Sequence, residues 1–95
     1  MGLGTIRLYA TLRARADGER DVEIAWTPGA SVGDVIRDLV ARKPGLAGHI
    51  LDARGGVVPY VAVFIDGRDI RHLDGLRTAL AAGDEIAIFP PVAGG

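Results

Sequence analysis

The 95 residues contain no cysteine. This excludes disulfides, thiolate metal sites and a cysteine nucleophile, so any sulfur chemistry the chain takes part in must place the sulfur elsewhere. Lysine is nearly as scarce. Lys43 stands alone among arginines, at the end of a helical pattern beside Pro44, where an exposed amine is expected. Charge of one sign is lacking too: the net charge is −1 with 24% charged residues, which indicates neither disorder nor electrostatic attraction to nucleic acid. The apolar runs fall far short of a membrane span, and the N-terminus lacks a charged stretch followed by an apolar core. A cytoplasmic protein with no membrane or nucleic-acid partner is expected. What is present in quantity is apolar side chain, 48% of the residues, enough for one core in a chain too short to divide into two.

Met1 to Gly4 reads as a loose leader. Thr5 to Leu12 then alternates, with Ile6, Leu8, Ala10 and Leu12 on one face, which predicts a half-buried strand. The charged stretch Arg13 to Arg20 reads as a solvated bend containing an Asp17-Gly18 turn. Asp21 to Thr27 alternates again, burying Val22, Ile24 and Trp26, so the two segments form an antiparallel hairpin before Pro28-Gly29 breaks the pattern.

Ser31 followed three residues later by Asp34 marks a helix start, with the acid at the positive end of the helix dipole. Val32, Val35, Ile36, Leu39 and Val40 give that helix one apolar stripe, and Lys43-Pro44-Gly45 ends it. A second short helical piece is expected over Leu46 to Leu51, then a surface loop from Asp52 to Pro59. Tyr60 to Ile65 is rich in β-branched and aromatic residues and precedes an Asp66-Gly67 turn, which predicts a central strand. Arg68 to Arg71 pairs briefly, Leu76 and Leu80 tuck under the sheet, and Gly83-Asp84 turns into a last strand. One principal helix covering one face of such strands fits an α+β mixed sheet of the β-grasp, ubiquitin-like type.

The final stretch is the most informative. The strand Glu85 to Phe89 runs into Pro90-Pro91, which lack amide donors and cannot continue a ladder. A β-grasp domain over residues 1–91 and a flexible tail over 92–95 are therefore expected, with the tail projecting from the domain. Gly94 and Gly95 carry no Cβ and suit a channel too narrow for side chains. The group such a tail would present is the α-carboxylate of Gly95. By the alternation within each strand, Tyr9, Ala62, Phe64, Ala87 and Phe89 fall on the face opposite the helix, where aromatics on open sheet suggest a docking patch. His49 and His72 belong to no ligand-like cluster. Asp66 with Asp69, and Asp84 with Glu85, sit beside turns where acids are ordinary. No metal site is expected.

The run Ala82-Gly83-Asp84-Glu85-Ile86-Ala87-Ile88-Phe89-Pro90-Pro91-Val92-Ala93-Gly94-Gly95 resembles the end of the small subunit of molybdopterin synthase, and so the ubiquitin-like sulfur carriers that also include the thiamine-thiazole carrier. Ala30-Ser31-Val32-Gly33-Asp34 and Lys43-Pro44-Gly45-Leu46 are similar to archaeal small ubiquitin-like modifiers. Asp69-Ile70-Arg71 and Gly75-Leu76-Arg77-Thr78-Ala79-Leu80 resemble the sulfur carrier of a bacterial cysteine-biosynthesis route. The Asp52 to Pro59 loop is longer than in the shortest molybdopterin and thiazole carriers. The resemblance implies a carrier rather than an enzyme, with no bound cofactor. An adenylating partner resembling ubiquitin activators, using ATP and Mg, would activate Gly95, with Gly94 beside it. A persulfide donor would then supply sulfur to form a thiocarboxylate, for delivery to a sulfur-accepting synthase or large subunit in molybdopterin or cysteine biosynthesis. Tyr9, Phe64, Phe89, Pro90, Pro91, Val92 and Ala93 would contact partners. The same activated end would also serve a modifier joined to lysines of other proteins, and an inert tail on a plain interaction domain is the third alternative.

Overall fold

Two strands from opposite ends of the chain lie side by side at the middle of the sheet. The computed structural model describes residues 2–91. Its first strand, β1 (Gly2–Leu8), pairs antiparallel with β2 (Asp21–Trp26), while β1 and the last strand, β5 (Glu85–Phe89), run parallel in the register Thr5 to Glu85 through Leu8 to Ile88. On the far side of β5 lies β3 (Ala62–Ile65), antiparallel to it, and β4 (Arg68–Asp69) closes that edge. The order β2-β1-β5-β3-β4 is the β-grasp arrangement. The centre belongs to β5, and the strand expected there from Tyr60 to Ile65 forms only over 62–65 and is the fourth across. The apolar run of β3 reads as central because its inward residues are buried, but burial on one face does not specify position in the order.

Between β2 and β3 the chain forms α2 (Val32–Arg42). Its start is a reciprocal cap: the Asp34 amide donates to Ser31 Oγ at 3.1 Å, and the Ser31 amide donates to Asp34 Oδ2 at 3.3 Å. Two amides that the first turn leaves without helical partners are thereby satisfied. These bonds, the Ser31 amide first, together with Arg37 hold the Asp34 carboxyl below its usual range. Val32, Val35, Ile36 and Leu39 are buried in one core with the inward residues Ile6, Leu8, Val22, Ile24, Val63, Ile65, Ile86 and Ile88. Leu80 joins this core, while Leu76 is only partly buried against it.

Several local expectations change. Gly2 to Gly4 belong to β1 rather than to a loose leader. Gly4 is buried, and a Cβ there would collide with the Trp26 ring; the glycine is what lets the indole lie across the strand and donate from Nε1 to Ala81 O at 3.0 Å. The strand ends at Leu8 instead of Leu12. Ala10, with φ 51°, turns the chain into a short helix, α1 (Thr11–Arg15), and is itself exposed. Leu12 and Ala16 reach the core from this helix and its end. Leu8, Leu12 and Ala16 are four apart, a spacing that fits one face of either a strand or a helix.

After α2, a 3₁₀ turn over Pro44–Leu46 is followed by turns rather than by a helix over 46–51. Leu46 and Ile50, again four apart, are both fully buried. Leu51 bridges to Val57 and closes the 52–59 loop. Lys43 is not the exposed amine expected. Its side chain retains 17% exposure, with Nζ 2.7 Å from Glu19 Oε1 and 3.6 Å from Asp17 Oδ2.

Candidate functional site

Strand alternation leaves the sheet with two unlike faces. On the face away from α2, the part near β2 is charged: Arg7 donates from Nε to Asp21 Oδ1 at 2.9 Å and lies 3.7 Å from Glu85. The part over β5 and β3 is apolar. The parallel register puts Tyr9, one residue beyond β1, beside Phe89, and their rings stack with centroids 4.2 Å apart and planes 16° apart. Phe64 meets Phe89 edge to face at 5.5 Å and 83°. The edge-to-face contact suits rings with negative faces and positive edges.

Ala62 pairs with Phe89, and Phe64 pairs with Ala87, across β3 and β5. Small alanines between the rings leave a shallow depression of about 780 Å³, with Tyr60, Phe89 and Pro90 towards the tail end and Asp66, Gly67 and Glu85 at the other. The structure thus brings together Tyr9, Phe64, Phe89 and Pro90 from three parts of the sequence. Pro91 follows and is exposed. Val92, Ala93, Gly94 and Gly95 lie outside the described residues.

Tyr60 is the aromatic member of this depression that alternation did not single out as a site residue. The strand expected from Tyr60 begins only at Ala62, and Tyr60 sits instead in a turn with φ 69° and 89% of its surface exposed. The signal available was Pro59 directly before it, since proline favours the first central position of such a turn.

The acids near the rim are occupied by the backbone. Asp66 Oδ1 accepts the Glu85 amide at 2.9 Å, and Asp84 Oδ2 accepts the Ala81 amide at 2.8 Å. The Ala81 amide pulls the Asp84 carboxyl down, but burial and the neighbouring Asp66 together push it above its usual range. Asp69 accepts from the Arg71 side chain and amide, which hold its carboxyl down at about 2. Among the described residues no group of three His, Cys, Asp or Glu side chains is placed to hold a metal ion, and no helix is long and apolar enough to cross a membrane.

Comparison with known proteins accords with this architecture. The model of the ThiS family matches residues 6–95. Small archaeal modifier protein 3 of Haloferax volcanii is 44% identical over 90 residues, covering 95% of this chain and 96% of that one. Sulfur carrier protein CysO of Mycobacterium tuberculosis is 33% identical over 93 residues, covering 96% and 97%. The crystal structure of SAMP1 from Haloferax volcanii superposes with a TM-score of 0.88 at 35% identity, over 99% of this chain and all of that one. The chain belongs to the ThiS family of ubiquitin-like proteins, and the proteins it is similar to include one named a sulfur carrier and one named a small archaeal modifier.

Proposed function

We propose that this protein is a sulfur carrier whose reactive group is the terminal carboxylate of Gly95. The observation that supports this most directly is the end of β5. Phe89 is the last strand residue and also the central ring of the aromatic cluster, and Pro90-Pro91 then stop the ladder. A partner that covers the Tyr9, Phe64 and Phe89 rings is therefore positioned to receive whatever follows Pro91.

A free carboxylate is a poor acyl donor. In the proposed reaction it attacks the α-phosphate of ATP on an activating enzyme, releasing pyrophosphate and forming an acyl-adenylate. The terminal sulfur of a persulfide displaces AMP to give an acyl disulfide, and a donor-side thiol reduces this to the thiocarboxylate while forming a disulfide with the other sulfur. The thiocarboxylate then supplies a synthase of molybdopterin or cysteine biosynthesis. The chain carries no cysteine that competes for the activated end. The 44% identity to a named modifier protein supports a second reading, in which the acyl-adenylate is passed to lysines of other proteins.

Removal of Gly95, or its capping as an amide, tests the shared premise. ATP–pyrophosphate exchange by the activating enzyme is expected to vanish, with the melting temperature nearly unchanged because the core of the described residues ends at Ile88 and a terminal glycine adds little to it. Exchange that survives the truncation contradicts the proposal.

A further inference from the structure

Tyr60 occupies a backbone conformation that its own side chain disfavours. Val58, Pro59, Tyr60 and Val61 form a four-residue turn closed by the Val61 amide donating to Val58 O at 3.1 Å. Proline in the second place and a positive φ in the third make this the type II arrangement, whose third position belongs to glycine or asparagine. Here it holds a tyrosine at φ 69°. A bulky residue in the left-handed region is an outlier that the surrounding structure must enforce. Folding does not recover that cost through burial, because 89% of the tyrosine surface stays exposed.

What the conformation achieves is placement. The ring stands beside the aromatic depression, on the side where Phe89 and Pro90 lead out of the sheet. Four residues follow Pro91 in the sequence, and four extended residues span at most roughly 14 Å. A protein that closes on the carboxylate of Gly95 must hold its catalytic groups within that reach of Pro91, and so it lies against the wall that Tyr60 and Phe89 form. Tyrosine is well suited to such a position, since it offers a rigid ring and a polar tip to an interface that is otherwise apolar.

We propose that Tyr60 is a docking residue for the adenylating enzyme, held out in a strained turn so that its ring is contacted only in the complex. The inference rests on the assignment of Gly95 as the activated end. It departs from a structural role in one respect: relieving the strain and removing the ring act in opposite directions on folding and on binding.

The test compares wild type, Tyr60→Gly and Tyr60→Phe, using the organism's own ubiquitin-activator-like adenylating enzyme as the probe. Calorimetry reads binding, ATP–pyrophosphate exchange at varied carrier concentration reads KM and kcat, and thermal melts read stability. Tyr60→Gly is expected to weaken binding and raise KM by about tenfold or more, the loss associated with an interface hot spot. Its kcat is unchanged, and its melting temperature is unchanged or higher by up to about 5 °C. Tyr60→Phe, which keeps the ring, stays within about threefold of wild type in binding. Wild-type binding and KM in Tyr60→Gly, with exchange still running on Gly95, overturn the docking role. A fall in melting temperature without a change in KM makes Tyr60 a folding residue and overturns it as well. Absence of exchange with the wild-type chain instead contradicts the assignment of Gly95, a separate outcome visible before any variant is made.

Discussion

Phe89 and Asp69 show how differently single residues act in this protein. Phe89 is half-buried, stacked with Tyr9 and in an edge-to-face pair with Phe64. Phe89→Ala is expected to weaken partner binding by about 1–3 kcal/mol, against a smaller stability loss of roughly the aromatic pair energy, about 0.5–1.5 kcal/mol. Titration calorimetry and denaturant melts on the same variant separate the two. An equal loss in both places Phe89 in the core rather than on a docking face. Asp69 acts through charge. Its carboxyl sits at about 2 when folded against an ordinary 3.8 because Arg71 binds its ionised form. The resulting stabilisation is present above pH 3.8 and fades as pH falls through about 2. Asp69→Asn should therefore melt below wild type at pH 5 and converge with it near pH 2, whereas a gap that persists unchanged at pH 2 contradicts the assignment. Tyr9, Phe64 and Phe89 were legible from strand alternation. The exposed ring of Tyr60 was not, because alternation describes strands and Tyr60 is set by a turn.

Among the elements, α2 was readable to its ends, since the Ser31–Asp34 cap, the apolar stripe and Pro44 all give the same answer. The segments on either side were harder for a common reason. Leu8, Leu12 and Ala16, like Leu46 and Ile50, are spaced by four, so burial alone does not separate strand, helix and turn. The first element holds another constraint that composition hides. Gly4 looks like a leader residue but lies beneath the Trp26 ring. Gly4→Ala is expected to cost about 1–3 kcal/mol in a urea melt, as for other overpacked sites; a neutral result implies that the indole moves freely. The link between α2 and the β1–β2 connection runs through Lys43. Its hydrogen bond to Glu19, helped by the charge of Asp17, raises its pKa and favours the unreactive ammonium form. Lys43 is the only lysine, so self-linked chains should be scarce even if the protein modifies others. Treatment with an amine-acetylating reagent should label Lys43 more slowly in wild type than in an Asp17→Asn, Glu19→Gln variant, as read by peptide mass mapping. Equal rates mean that the carboxylates give no protection.

At the scale of the whole molecule, the parallel pairing of β1 with β5 is the organising fact. It joins the end of the first strand to the end of the last, so that Tyr9 meets Phe89 although eighty positions separate them in the sequence. The strands and the single covering helix could be read from periodicity, and the β-grasp type from their order. That β5 rather than β3 holds the centre could not, because neighbour choice in a sheet depends on contacts across the whole chain. Under the proposed function this has one consequence: the aromatic face and the residues that lead towards Gly95 belong to the same strand, so a partner that docks on the one would engage the other as well. The measurement that bears most directly on this account is the intact mass of the protein after incubation with its activating enzyme, ATP and a persulfide donor. The account predicts a species heavier by the exchange of one oxygen for one sulfur, located by fragmentation at Gly95 and absent when ATP is withheld. A chain that keeps its original mass under these conditions, while the enzyme activates it to acyl-adenylate and passes it only to lysines of other proteins, would contradict the assignment as a sulfur carrier.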